Sequence, residues 1–105
     1  MKNIKIPFRA MFQEAMLTGK KTCTLRTKKY GQAGDTFEVF GTAFELIAVC
    51  PTTDRLGINY LYRLEGFNQP GELWKVWDKI HPRLDRDSVV FAHFFKKSEL
   101  KEMFK

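Results

Sequence analysis

The sequence predicts a small α+β domain built on a mainly antiparallel sheet or barrel with flanking helices. Three observations carry this: a length of 105 residues suited to one core, apolar periodicity that switches repeatedly between strand and helix spacing, and an element order of strand, helix, three strands, two helices, strand, helix. That order argues against a doubly wound parallel sheet, and neither G-x-G-x-x-G nor G-x-x-x-x-G-K-[ST] is present.

Each element has a local reason. Lys2 to Pro7 alternates, with Ile4 and Ile6 on one side, and predicts a short edge or lead-in strand ended by Pro7. Phe8, Met11, Phe12, Ala15 and Met16 form one helical face, so a helix is expected from Phe8 to Thr18 with Gly19 as its left-handed cap. "TCTLRT" turns to period two, with Thr22, Thr24 and Arg26 on one face and Cys23 and Leu25 toward the core. "KKYGQAGD" is turn chemistry, in which Asp35 fixes the turn. "TFEVFG" and Ala43 to Thr52, stopped or bent at Pro51, follow as strands of an antiparallel meander. Leu56, Tyr60, Leu61 and Leu64, then Leu73, Val76, Trp77 and Ile80, mark two short helices, the second closed by Pro82. "SVVFAHFF" is a β-branched and aromatic strand, and "KSELKEMFK" reads as a short C-terminal helix.

Composition limits function. Eighteen Lys and Arg against twelve Asp and Glu leave a net +6, which attracts polyanions such as RNA. Cys23 and Cys50 lack C-x-x-C spacing and have no histidine at zinc-finger distance, so two free thiols in a reducing cytosol are expected and no metal. The N terminus is broken by Asn3, Lys5, Pro7 and Arg9, and no apolar run approaches a membrane span, so a soluble cytoplasmic protein is expected.

"GKKTCTLR", "GQAGDTF", "EGF" before a tryptophan-containing helix, and "VVFAHFF", in this order, resemble the ASCH domain family. The resemblance runs from Pro7 to about Phe95 and implies a single domain over residues 1–105 with a PUA-like fold, a small β-barrel with flanking helices. It implies a cleft that takes RNA, a nucleotide or a modified nucleoside. Within the family, the chain is similar to small bacterial amidohydrolases that deacetylate N4-acetylcytidine using Lys, Thr and Glu. These fall on Lys21, Thr24 and Glu65. No cofactor is implied, and a monomer or weak dimer with no protein partner and no membrane contact is expected.

Amide hydrolysis needs a nucleophile, a base, an acid for the leaving amine and oxyanion donors. Thr24 supplies the hydroxyl. Lys21 serves as base if desolvation or neighbouring cations lower its pKa, and as an electrostatic stabiliser if it stays charged. Glu65 meets the base edge or protonates the leaving nitrogen. Lys20 and Arg26 are binding candidates, Arg26 through its fork, and Tyr30, Phe67 and Trp74 are candidates to stack on a base. In a regular strand Lys21 faces away from Thr24, because their separation is odd. Lys21 therefore belongs in the turn after Gly19 or reaches round on its long stem.

Plainer readings stand beside these: a solvated turn lysine for Lys21, a cross-strand threonine for Thr24, a helix-terminal glutamate for Glu65. His93 reads as a core histidine satisfied by hydrogen bonds, His81 as a loop residue, Trp77 as core filler, and the basic tail as a solvated helix. The alternatives to an amidohydrolase are a non-catalytic RNA-binding module and a ribonuclease using the same basic cleft.

Overall fold

Apolar side chains recur on both faces of one sheet, and the computed structural model, which describes residues 2–82 and 87–98, is organised around them. The elements are β1 (Asn3–Ile4), a 3-10 turn (Ala10–Phe12) running into α1 (Gln13–Leu17), β2 (Cys23–Arg26), β3 (Thr36–Val39), β4 (Thr42–Thr53), α2 (Asp54–Leu61), α3 (Pro70–Ile80) and β5 (Val89–Lys97). The α+β class holds. The five strands form a sheet in the order β1-β3-β4-β5-β2, in which β1 and β2 are edges, so the described strands do not close into a barrel.

The expected meander is also corrected. β3 and β4 do form a hairpin, with Val39 opposite Thr42. Phe40 and Gly41, both at positive φ (53° and 72°), make the two-residue turn, so Phe40 leaves the strand. β2, however, pairs antiparallel with β5, Thr24 opposite His93 and Arg26 opposite Phe91. Local patterning cannot reveal a partner so far along the chain. β1 pairs with β3 in parallel over two residues only. Lys5 to Pro7 continue outside any strand, and the first helix starts at Ala10 rather than Phe8.

β4 runs through Pro51 because β3 covers only Thr42 to Glu45, leaving the second half of β4 with one ladder partner. A bulge at Ile47 shifts its register against β5 between Leu46 and Ala48. Thr53 caps α2, its hydroxyl accepting from the Leu56 N–H at 3.2 Å. α3 opens with Pro70 and a capping box between Gln69 and Glu72. Asp35 ties the β3 approach to the N terminus, accepting from the Gln32 N–H at 2.9 Å and the Lys2 N–H at 3.0 Å. These bonds hold its carboxyl below the ordinary range.

The sheet separates two cores. On one side Cys23, Leu25, Val90 and Ala92 pack under Ile58 of α2 and Leu73 and Trp77 of α3. On the other, Met16 of α1 and Ile6 cover Phe37, Phe44, Leu46 and Phe95. Phe37, Phe44 and Phe95 meet with ring centroids 5.5–5.6 Å apart, contacts that each add about 0.5–1.5 kcal/mol beyond burial. β2 is the free edge between the two cores, and the cleft described below wraps that edge. No helix among the described residues is long and apolar enough to cross a membrane. Of the expected C-terminal helix "KSELKEMFK", Lys97 instead ends β5, and residues 99–105 lie outside the described residues.

Candidate active site

The segment after α2 builds the site. It turns through Leu64, Glu65 and Gly66 and lies along the free edge of β2. The Leu64 carbonyl accepts from both Thr22 N–H (2.6 Å) and Cys23 N–H (3.0 Å), and the Glu65 carboxylate takes the Leu25 N–H (3.2 Å). An edge strand whose amides would otherwise be open is thus closed by a carboxylate. Two successive N–H groups sharing one acceptor interrupt the pleat, which answers how Lys21 and Thr24 reach the same cleft despite their odd spacing. Lys21 stands before β2, in an isolated antiparallel bridge with Glu65. Gly66, at φ +92°, lets the chain pass: a Cβ there would sit 3.3 Å from the Ala15 Cβ and 3.4 Å from the Lys21 Cβ.

Lys21 is not a solvated turn lysine. It is 1% exposed. Its Nζ donates to the Cys23 carbonyl (2.9 Å), the Glu65 carbonyl (3.3 Å) and Glu65 Oε1 (3.4 Å), and it lies 4.5 Å from the centre of the Phe12 ring. Burial lowers the Lys21 pKa, with Glu65 opposing. Burial raises that of Glu65, with Lys21 opposing. Both shifts bring the ion pair and the neutral amine–acid pair closer in energy. Glu65 Oε2, by contrast, is buried with no partner at all.

Thr24, 4% exposed, accepts from Arg26 Nε at 3.1 Å, leaving its hydroxyl proton to be given elsewhere. Arg26 spends its Nη2 on the Pro7 carbonyl and stacks over Phe8 at 4.8 Å. It thus holds Thr24 and the N-terminal segment in place. His93 sits opposite Thr24 on β5. Its Nε2 accepts from the Tyr30 N–H (3.0 Å) and its Nδ1 lies 3.0 Å from the Phe91 carbonyl. A backbone N–H can only donate, so the ring is neutral with its proton on Nδ1, and burial lowers its pKa in agreement. His93 is the satisfied core histidine expected, and it positions Tyr30.

A cleft of about 360 Å³ opens onto these groups, lined by Lys21, Thr24, Arg26, Tyr30 and Glu65 together with side chains of α3 and the N-terminal segment. The volume lies in the range of small-molecule sites, about 300–1,000 Å³. Of the residues singled out from sequence, it brings together Lys21, Thr24, Glu65, Arg26 and Tyr30. It leaves out Lys20, which is exposed in the turn. Phe67 packs edge-on against Phe12 at 6.0 Å, and Trp74 donates its Nε1 to Asn59 Oδ1 at 2.9 Å. Neither lines the cleft. The walls that sequence reading missed are Phe8, Phe12, Trp77 and His81. Their helical or alternating spacing marked most of them as inward, but not that inward meets a cleft. Among the described residues no three of His, Cys, Asp and Glu come together to hold a metal ion.

No family model and no curated protein matches the chain. Solved structures do. An ASCH domain from Lactobacillus crispatus JV V101 superimposes with a TM-score of 0.68 at 13% identity, over 91% of this chain and 78% of that one. The hypothetical protein PH0355 gives 0.70 at 16% identity, over 93% of this chain and 100% of that one. EF3133 from Enterococcus faecalis V583, of the DUF984 family, gives 0.59 at 14%, over 83% and 69%. Resemblance in motif and resemblance in backbone agree: this chain has the fold of the ASCH domain.

Proposed function

We propose that the cleft binds a nucleoside and acts as a metal-independent amidohydrolase on an acylated exocyclic amine, N4-acetylcytidine being the compound to try first. The observation that carries this is the desolvated Lys21–Glu65 pair, 3.4 Å apart, in one cleft with a threonine hydroxyl whose oxygen is held by Arg26.

The pair supplies both proton steps. Transfer of one proton from Lys21 to Glu65 gives an amine beside a carboxylic acid with no change in net charge. The Lys21 amine then takes the Thr24 proton as Oγ attacks the acyl carbon, and the ammonium so formed stabilises the oxyanion. Glu65 gives its proton to the exocyclic nitrogen as the C–N bond breaks, releasing cytidine and leaving acyl-Thr24. Water then attacks the ester, its proton passes to Glu65, and Lys21 returns its proton to Thr24 Oγ as the acid departs. Atoms and charges balance, and the pair ends as the amine and acid that began the acylation, one proton transfer from the ion pair.

The second reading, an RNA-binding module, draws on the net +6 and on the exposed Arg9 at the mouth of the cleft. The test is chromatographic release of cytidine from N4-acetylcytidine with a chelator present, alongside binding of a short RNA at two salt concentrations. Turnover should hardly respond to salt. Absence of turnover, with RNA affinity falling steeply as salt rises, overturns it in favour of phosphate binding.

A further inference from the structure

Two buried side-chain polar atoms among the described residues have no hydrogen-bond partner, Glu65 Oε2 and Trp77 Nε1, and both residues line the same cleft. Trp77 is 5% exposed and Glu65 4%. Leaving a buried donor or acceptor without a partner is costly, and folded proteins leave few such groups without a reason. The other tryptophan of the same helix shows the usual solution, since Trp74 donates to Asn59. One of the two unmet atoms is a carboxyl oxygen, and the other is an indole N–H, which can only donate.

Their placement assigns the parts of a ligand. Along β2, Thr24 and Arg26 point to one face, while Cys23 and Leu25 point to the other, where Trp77 packs with them. Glu65 lies on the edge between. A ligand whose acyl carbon meets Thr24 and whose exocyclic nitrogen meets Glu65 therefore extends its ring toward α3, away from the attacked carbonyl.

We infer that the Trp77 indole N–H is a specificity-determining donor that reads the ring carbonyl of a bound pyrimidine, the O2 of cytosine, while Glu65 Oε2 meets the exocyclic nitrogen. This rests on the nucleoside reading above and adds a ring-side contact to it. The site then requires an acceptor at the pyrimidine 2-position, and Trp77 acts in binding rather than on the reacting atoms.

Two measurements test it. Calorimetry compares cytidine with 2-thiocytidine, whose sulfur is a weak acceptor, on the wild type and on Trp77→Phe. The wild type should prefer cytidine by about ten-fold, and Trp77→Phe should bind cytidine more weakly and show a preference below about two-fold. A variant that binds less tightly but keeps the full preference overturns the assignment, because ring packing alone would then explain the loss. The second measurement needs no change at Trp77. Of the two indole N–H resonances, Trp74→Phe identifies the remaining one as that of Trp77. Cytidine should move it downfield and 2-thiocytidine less so, and an unmoved signal at saturating cytidine overturns the assignment. If the wild type binds neither nucleoside, the nucleoside reading itself falls, an outcome distinct from binding without discrimination.

Discussion

Replacing Glu65 by Gln tests the physics of the buried pair without a change of shape. The amide oxygen can still accept the Leu25 N–H and meet Lys21 Nζ, now 3.2 Å and 3.4 Å from Glu65 Oε1. What is lost is the charge that offsets burial of the ammonium. Lys21 then has one escape, to fold as a neutral amine. Starting from an ordinary value of 10.5, shedding that proton at pH 7 costs about 5 kcal/mol, at about 1.4 kcal/mol per pH unit. At pH 9 the same step costs about 2 kcal/mol. The sign follows from proton uptake: with Lys21 depressed in the folded variant, unfolding binds a proton, so stability rises with pH toward the unfolded lysine value. In the wild type the Glu65 charge opposes the depression of Lys21, so the corresponding slope is smaller. Urea unfolding of wild type and Glu65→Gln from pH 6 to pH 9 should therefore show a deficit that shrinks as pH rises, by up to about 1.4 kcal/mol per unit. A deficit independent of pH would mean that Lys21 keeps its proton in the variant, and the desolvation argument would be wrong.

Gly66→Ala should destabilise by about 1–2 kcal/mol from the left-handed backbone alone and also lower turnover, because the added Cβ crowds Lys21 Cβ at 3.4 Å. A variant with unchanged stability would contradict the tight passage. Cys23 is buried, and burial pushes its thiol well above the ordinary range, whereas Cys50 is exposed. Ellman's reagent should thus titrate one thiol in the native protein and the second only after unfolding. The pH profile of kcat/KM should be bell-shaped. As pH falls through the raised Glu65 value the pair gains a second proton and loses its base, and as pH rises through the Lys21 value it loses its acid. A flat profile from pH 5 to pH 10 would remove the pair from the chemistry.

Much of the fold was legible where one residue type has one local use. Gln69, Pro70 and Glu72 announce the start of α3, and the alternation in "TCTLRT" correctly divides Cys23 and Leu25 from Thr24 and Arg26. The pairing of β2 with β5 was not legible, since it joins Thr24 to His93 across most of the chain. Nor was the open sheet, which follows from strand order and not from any strand's own pattern. At the site, residue types and the family resemblance pointed to Lys21, Thr24 and Glu65, and spacing warned that on a regular strand Lys21 would face away from Thr24. The interruption of the pleat at Leu64 resolves that warning. Trp74 and Trp77 show the limit most plainly. Three residues apart on one helix, they differ in what tertiary packing sets around them: Trp74 donates its N–H to Asn59, whereas Trp77 lines the cleft with its N–H buried and unpartnered.

The Thr24 hydroxyl can be tested alone by Thr24→Val, which keeps the shape of the side chain and removes the group that Arg26 holds at 3.1 Å. Cytidine affinity and the rate of cytidine release from N4-acetylcytidine would be measured side by side on wild type and variant. Affinity should stay within about two-fold of the wild type and turnover should fall by about a thousand-fold or more, as expected when a nucleophile is lost while binding survives. Turnover retained by Thr24→Val would show that the hydroxyl is not the nucleophile and would contradict the mechanism.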